Sequence, residues 1–162
     1  AVTDRAWRDG GVVLVDGEAV ALRVDHGPGG AVVCVGDARL AVSGVVPMDL
    51  RPLVERWLRT RARVELPPAL LALADRHGLT VTRVSVRNQQ SRWGACARRG
   101  SITLNWRLLQ VPPRVREYVL LHELMHLREL NHSSRFWRLV AAVCPDYQES
   151  RRWLRTEGHA LF

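Results

Sequence analysis

The sequence lacks lysine altogether: its 24 basic residues are all arginine, and 16 acidic residues leave a formal net charge of +8. It also lacks any apolar run near the roughly 18 residues that a membrane-spanning helix needs, which excludes that class of membrane protein. Residues 1–5 do not show the basic-then-apolar pattern of a secretion signal. With 47% hydrophobic and 25% charged residues over 162 positions, the composition excludes collagen-like and disordered chains and is typical of a globular protein.

Cysteine is scarce as well. The three cysteines, Cys34, Cys96 and Cys144, are odd in number and widely separated, so they form neither a disulfide framework nor a CxxC zinc site. Unpaired cysteines are typical of a reducing compartment, and we expect the protein in the cytoplasm. The arginines are spread along the chain without interleaved aromatic residues, so their charge is as typical of a solvated surface as of a nucleic-acid-binding one.

The spacing of apolar residues changes from period two to helical spacing at about residue 46. Before that point, alternating segments and Gly-containing turns predict two hairpins, with a loop at 26–30 between them. The predicted strands are 12–15, 19–24, 31–35 and 38–42. We therefore predict a strand-rich N-terminal subdomain over residues 1–46, followed by a domain over residues 47–162 that mixes helices and strands, which gives the α+β class.

Within residues 47–162 the pattern predicts two short helices, two strands and three further helices. Asp49 is a candidate N-cap for the first helix, and Pro67-Pro68 opens the second, which ends at His77-Gly78. The strands are 81–88 and 101–105, separated by a loop around Trp93-Gly94, with Ile102 and Leu104 facing inward. The last three helices are 114–130, one from Ser133 or Ser134 to 143, and one from Asp146 to about 158.

The predicted helix 114–130 contains His122-Glu123-Leu124-Met125-His126, an HExxH motif. Helix positions four apart differ by only about 40° in direction, so both imidazoles project from one face and can bind one zinc ion. Glu123 flanks that ion without coordinating it, where a carboxylate can deprotonate a zinc-bound water. The helix is apolar on nearly all sides, and its polar side chains would be costly to bury without a metal. The motif therefore predicts a catalytic metal site.

A catalytic zinc ion needs a third protein ligand. His132 lies six residues after His126, and a continuing helix would turn it about 240° away, so it can join only if the helix ends near residue 130. Asn131, which tolerates left-handed backbone, and Ser133, a capping residue, favour such an end. We favour His132 over the competing carboxylates, which lie beyond the next predicted helix at Asp146 and Glu149.

Further motifs follow in order along the chain. Their sequences are NQQSRWGAC (88–96), ITLNWRL (102–108), YVLLHELMH (118–126), NHS (131–133), FW (136–137), PDY (145–147) and RRWL (151–154). Together they resemble the YgjP-like metallopeptidase domain, a family akin to SprT-like and WLM zincins, from about residue 80 to the end and more loosely before it. The resemblance implies a minimal zincin fold, one zinc ion held by His122, His126 and His132, and Glu123 as catalytic base. SprT-like proteins carry an added zinc-binding cysteine cluster that this sequence lacks, so no tethered DNA-binding module is implied.

The expected reaction is hydrolysis of a peptide bond in a peptide or protein substrate. In such a fold the strand before the active-site helix can pair with an extended substrate, and the candidate strand is 101–105. The residue that stabilises the oxyanion stays open. The candidates are Arg92, Asn105, Tyr147 and His159. We expect Tyr118 to pack in the core and His159 to cap a helix at the surface.

Two other functions stay open at this point. Arg92 and Arg107 lie near the motif region, and arginines beside a metal would suit a metal-dependent nucleoside triphosphate pyrophosphatase or phosphohydrolase. The second alternative is a DNA-associated binding protein whose metal is structural. A metal with an open coordination position beside Glu123 would disfavour that alternative, since structural zinc sites are usually closed by four protein ligands.

Overall fold

The N-terminal strands form one antiparallel sheet. In the computed structural model, which describes residues 7–162, the strand order is β1-β2-β3-β4. The strands are β1 (Val12–Val15), β2 (Glu18–Gly27), β3 (Gly30–Val35) and β4 (Ala38–Ala41). In the first turn Asp16 and Gly17 have φ values of 53° and 80°, the left-handed geometry that matches the twist of a hairpin. Residues 1–6 of the predicted subdomain, with the segment 1–5 that lacks a secretion-signal pattern, lie outside the described range.

The four predicted N-terminal strands are confirmed, and the loop expected at 26–30 is wrong in extent. The pairing of β2 with β3 continues as far as Gly27 opposite Gly30, so only Pro28 and Gly29 connect the two strands. The strands extend this far because each additional residue pair forms backbone hydrogen bonds between them, whereas in a longer loop the same groups would bond to water.

A single helix, α1 (Arg51–Arg76), replaces the two helices predicted here, and both Pro67 and Pro68 lie inside it. The helix continues because its buried face does: fully buried side chains recur every fourth residue on both sides of the prolines. They are Val54, Leu58, Ala62, Leu66 and Leu70. This packing outweighs the roughly 3 kcal/mol that a proline costs inside a helix. Asp49 lies one residue before the N-cap Leu50, and its Oδ1 accepts from the backbone N–H groups of Arg51 and Trp7.

Three further strands form a second sheet in the order β5-β7-β6. They are β5 (Arg83–Arg87), β6 (Gly94–Cys96) and β7 (Ser101–Asn105), and β7 pairs in parallel with β5 and antiparallel with β6. Residues 94–96 were expected to be a loop; three residues are too few for a visible alternation, and only the pairing with β7 defines this strand. Ile102 and Leu104 are fully buried, as predicted.

The central position of β7 corrects the prediction that residues 101–105 pair with a substrate. Both edges of β7 are already bonded, one to β5 and one to β6, so this strand offers no free backbone groups to a peptide. In this sheet β6 is instead an edge strand. A short 3₁₀ helix (Trp106–Leu109) then leads from β7 into the helical part of the chain.

Three helices follow: α2 (Pro113–Met125), α3 (Ser134–Val143) and α4 (Tyr147–Thr156), with a terminal 3₁₀ turn at Gly158–Leu161. The predicted cap of α3 is confirmed, because the Ser133 side chain accepts from the backbone N–H of Phe136. The predicted end of α2 at residue 130 is wrong: the helix ends at Met125. No helix in the part of the chain that the structure describes combines the length and apolarity needed to cross a bilayer.

One hydrophobic core extends from the first sheet through α1 and the second sheet to α2 and α3, and the α+β class is confirmed. Contacts also join the two parts directly: the backbone N–H of Asp16 donates to Leu109, and the Asp16 carboxylate pairs with Arg116. The boundary at residue 46 stays a prediction.

The proline pair in α1 generates a stability prediction. Pro68 is exposed, and inside the helix it lacks the N–H that would donate to the carbonyl of Val64. We expect Pro68→Ala to raise the free energy of unfolding by about 1–2 kcal/mol, the interior proline penalty less the entropy that proline removes from the unfolded chain. Urea denaturation measures this change. Pro52→Ala is the control, because a first-turn proline lacks only an N–H without an intrahelical acceptor. Equal stability of wild type and Pro68→Ala would contradict the prediction.

Candidate metal centre

Three imidazoles meet at one point beside α2. The Nε2 atom of His126 lies 3.2 Å from that of His122 and 3.1 Å from that of His132, and the remaining pair is 3.3 Å apart. His126 is buried, His122 is partly buried and His132 is exposed, so the cluster lies at the boundary between core and solvent. The structure thus brings together the three histidines that the sequence singled out, and they could hold a metal ion.

The early end of α2 is what brings His132 into the cluster. His126 is the C-cap of the helix, and the next residues form tight turns, with the backbone N–H of Leu127 donating to Leu124 and that of Arg128 to Met125. The chain then reverses toward the Ser133 cap of α3. The sequence predicted that His132 could join if the helix ended near residue 130; the helix ends five residues earlier, and the turns that follow still bring His132 to the cluster.

Hydrogen bonds behind the rings fix their orientation. The Nδ1 atom of His126 lies 2.9 Å from the backbone oxygen of Glu129, and a carbonyl can only accept, so this Nδ1 carries the proton and Nε2 presents a lone pair. Tyr118 Oη lies 3.0 Å from Nδ1 of His122. Phe136, fully buried, stacks on the His126 ring at a centroid distance of 4.2 Å.

The electrostatics favour neutral imidazoles at His122 and His126. Burial, with the neighbouring histidines, lowers the pKa of His122 to about 3, and burial lowers the pKa of His126. A cation between the three Nε2 atoms would be stabilised by their lone pairs when each ring presents its unprotonated nitrogen. The donor set therefore fits a divalent metal ion.

Glu123 lies beside the cluster and is 6% exposed. Its Oε2 atom is buried and has no hydrogen-bond partner among residues 7–162. Burial raises the pKa of Glu123 to about 7, and the positive charge of Arg92 opposes that rise. A buried carboxylate with an uncommitted oxygen is costly in a core, and such groups are typical of functional sites.

The Glu123 side chain packs against the edge strand β6 at a glycine. A Cβ atom on Gly94 would lie 2.9 Å from Cγ of Glu123, closer than real Cβ contacts, and 3.2 Å from Cδ. A side chain at position 94 would therefore force Glu123 to shift from this position. A cleft of about 500 Å³ opens at this contact, lined by β6, by Arg92 and Trp93 before it, and by Glu123 and the three histidines.

The other residues predicted for the site are distributed unevenly. Of the four oxyanion candidates only Arg92 lines the cleft. Asn105 is fully buried and committed to its neighbours, since its Nδ2 atom donates to the backbone oxygens of Gln89 and Arg92. Tyr147 stacks on Trp137, and Nδ1 of His159 lies 3.0 Å from the backbone oxygen of Arg155.

The competing carboxylate ligands and the second candidate cleft arginine both lie away from the histidine cluster. Asp146 and Glu149 line a separate cavity with Cys144, so the structure does not bring these competing ligands to the histidines. Arg107 is buried, and its guanidinium donates to the backbone of Leu161 and to Asn88 Oδ1 rather than entering the cleft.

Sequence reasoning missed two residues of the site. Tyr118 packs in the core, as expected, but it also contacts a candidate ligand; it precedes His122 by four residues, so helical spacing could have indicated the contact. The sequence pattern places Gly94 in a predicted loop. Its role depends on a contact with a helix far away in sequence, and no local pattern signals it.

Comparisons with known proteins bear on this geometry. No curated protein matches the chain. Among solved structures, the metallopeptidase zymogen abylysin of Pyrococcus abyssi is 28% identical, with a TM-score of 0.48, over 56% of this chain and 93% of that chain. The family model of the YgjP-like metallopeptidase domain matches residues 1–157.

That match confirms the resemblance predicted from the motifs and extends it through the N-terminal sheet. A metallopeptidase hydrolyses peptide bonds with the help of a bound metal, so a metal cofactor and a peptide or protein substrate follow from it. The chain belongs to the YgjP-like metallopeptidase domain family.

Proposed function

We propose that this protein is a zinc-dependent peptidase in which His122, His126 and His132 hold one zinc ion and Glu123 is the general base. The observation that carries the proposal is the convergence of three Nε2 atoms, 3.1–3.3 Å apart, next to a buried carboxylate with an uncommitted oxygen. The two features share one cleft, as hydrolysis at a metal requires.

The spacing of the histidine nitrogens supports zinc. Tetrahedral zinc bound by imidazoles at about 2.0–2.1 Å needs nitrogen atoms roughly 3.3–3.4 Å apart, close to the separations in the cluster. Three neutral imidazoles are also a donor set that zinc accepts. When bound, the ion would supply Lewis-acid polarisation of the substrate carbonyl and lower the pKa of a water molecule.

Glu123 would handle the proton. Its carboxylate lies at the cleft and is held against Gly94, so it can accept a proton from the attacking water and then pass it to the amine nitrogen that leaves. Tyr118 and the backbone oxygen of Glu129 would keep the His122 and His126 rings oriented toward the ion.

The edge strand β6 supports an extended peptide as the substrate. On either side of this strand the backbone N–H of Asn105 donates to Trp93 and that of Ala97 donates to Ser101, so the odd-numbered residues 93, 95 and 97 face β7. In an antiparallel ladder the alternate residues, Gly94 and Cys96, then turn their backbone groups toward the open edge. A substrate strand can pair there, directly beside Glu123.

The alternatives have weaker support. A triphosphate site would need several cations, and Arg92 is the one arginine among the residues that line the cleft, because Arg107 is buried elsewhere. A structural metal would be closed by four protein ligands, whereas the candidate group among residues 7–162 consists of three histidines. The cleft therefore favours a peptidase over both alternatives.

The general base is tested by Glu123→Gln. The amide is nearly isosteric and cannot accept the proton, so we expect kcat/KM on a mixed peptide library to fall by about 100-fold or more while the metal content is unchanged. The metal is measured by plasma mass spectrometry of the same preparations. Glu117→Gln, an exposed position on the same helix, is the matched control. Wild-type turnover in Glu123→Gln would assign the base to another group.

The third ligand is tested by His132→Ala. Losing one of three ligands should weaken zinc affinity by about 100-fold or more, measured by competition with a chromogenic chelator. The matched control is His159→Ala, which removes a histidine outside the cluster and should bind zinc as tightly as wild type. If His132→Ala kept the wild-type affinity, a different side chain would have to complete the site.

The packing of Glu123 is tested by Gly94→Ala. The added methyl would push the Glu123 carboxylate away from its position in the cleft. Because proton transfer depends on the position of the base, we expect kcat to fall by about 10- to 100-fold with little change in zinc affinity. Gly29→Ala, where a Cβ meets nothing within 4 Å, is the control. Full activity of Gly94→Ala would show that the position of Glu123 does not depend on this contact.

A further inference from the structure

Arg92 contributes an uncommitted positive charge to the cleft. Its side chain is exposed, and it forms no hydrogen bond or ion pair within 4.0 Å with any residue from 7 to 162. Among the residues that line the cleft, Arg92 is the one arginine and Glu123 the one acidic residue. The charge of Arg92 reaches Glu123, whose pKa it holds down against the effect of burial.

The backbone of Arg92 is fixed although its guanidinium is in solvent. Its carbonyl accepts from Asn105 Nδ2 at 2.8 Å, and the next carbonyl, that of Trp93, accepts from the backbone N–H of Asn105 at 3.0 Å. Asn105 is itself fully buried, and its Oδ1 accepts from the backbone N–H of Arg107. These hydrogen bonds fix where the Arg92 side chain leaves the backbone, so its guanidinium stays within reach of the cleft.

The direction of β6 gives the position of Arg92 along a substrate. Gly94 lies beside Glu123, so the cleaved bond would lie near Gly94. Arg92 precedes Gly94, toward the N-terminal end of β6. A peptide paired antiparallel to β6, the more stable arrangement, runs the opposite way, so its C-terminal half lies beside Arg92.

We propose that Arg92 is a specificity-determining residue that binds a substrate carboxylate one or two residues after the cleaved bond. This inference rests on the proposed peptidase function. The carboxylate belongs to an Asp or Glu side chain, or to the free C-terminus of a short peptide, and the guanidinium binds either with the same forked hydrogen bonds. The substrate class is thus an acidic peptide, acidic on the leaving side.

The test uses four matched peptides with the best-cleaved core sequence. One has Glu after the cleaved bond and an amidated C-terminus, one has Gln there and is amidated, one has Gln with a free C-terminus, and one has Lys and is amidated. We expect wild type to cleave the Glu peptide about three- to tenfold faster, as kcat/KM, than the amidated Gln peptide, with the Lys peptide slowest. The free-C-terminus peptide shows whether a terminal carboxylate substitutes for the side chain.

Variants at Arg92 complete the test. Arg92→Gln should cleave the Glu and Gln peptides equally, and Arg92→Glu should prefer the Lys peptide. The matched control is Arg83→Glu, an exposed arginine on β5 at the opposite edge of the sheet, which should keep the wild-type preference. The preference should also shrink as salt is raised from 50 to 500 mM, values chosen so that the Debye length falls below about 5 Å at the upper end.

A binding measurement separates this inference from the proposed function. Fluorescence anisotropy with zinc-loaded Glu123→Gln should give a three- to tenfold lower Kd for the Glu peptide than for the amidated Gln peptide, about the factor expected for cleavage. If cleavage of the core sequence proves independent of zinc and of Glu123 but this ratio is found, the peptidase proposal fails and the carboxylate site stands. Equal Kd values, a preference that survives Arg92→Gln, or an acidic preference only before the cleaved bond would each overturn the inference.

Discussion

The site depends first on the point at which α2 ends. Because the helix stops at Met125, the backbone oxygen of Glu129 is not used by a following turn and can accept from Nδ1 of His126. The same reversal brings His132 within 3.3 Å of the other two nitrogens, where a continued helix would have turned it far away. The end of this helix thus orients the His126 imidazole and places the His132 imidazole beside it.

The second constraint is the contact between α2 and the edge strand β6. It requires a residue without a side chain at position 94, and it buries a carboxylate whose Oε2 atom has no partner among residues 7–162. Neither feature stabilises the fold, and such violations of local rules are typical of functional sites. The surrounding core, fully buried at Leu124, Phe136 and Ile102, is what holds the arrangement in place.

Features with a local signal could be predicted from the sequence, and features set by distant contacts could not. The HExxH spacing and the N-terminal alternation indicated the candidate ligands and the first sheet, because both depend on neighbours along the chain. Pro67 and Pro68 indicated a break that the buried stripe of α1 overrides. The strand β6 is defined only by its pairing with β7 and has no signal of its own in the sequence. The sequence therefore could not show that β7 is a central strand and that β6 is the edge strand beside Glu123. The domain boundary and the compartment stay predictions.

The charge of +8 also becomes interpretable once the arginines are located. Many of them serve the scaffold: Arg61 pairs with Glu65, Arg116 with Asp16, and Arg151 lies over the Trp137 ring. These contacts use the guanidinium as a planar, amphipathic group, a role that lysine fills poorly and that suits a chain without lysine. Arginines that are paired with carboxylates or packed on aromatic rings give little indication of what the protein binds. Arg92 differs because it lines the cleft beside Glu123 and its side chain has no ion-pair partner among the described residues. A charge placed there is available to a bound substrate.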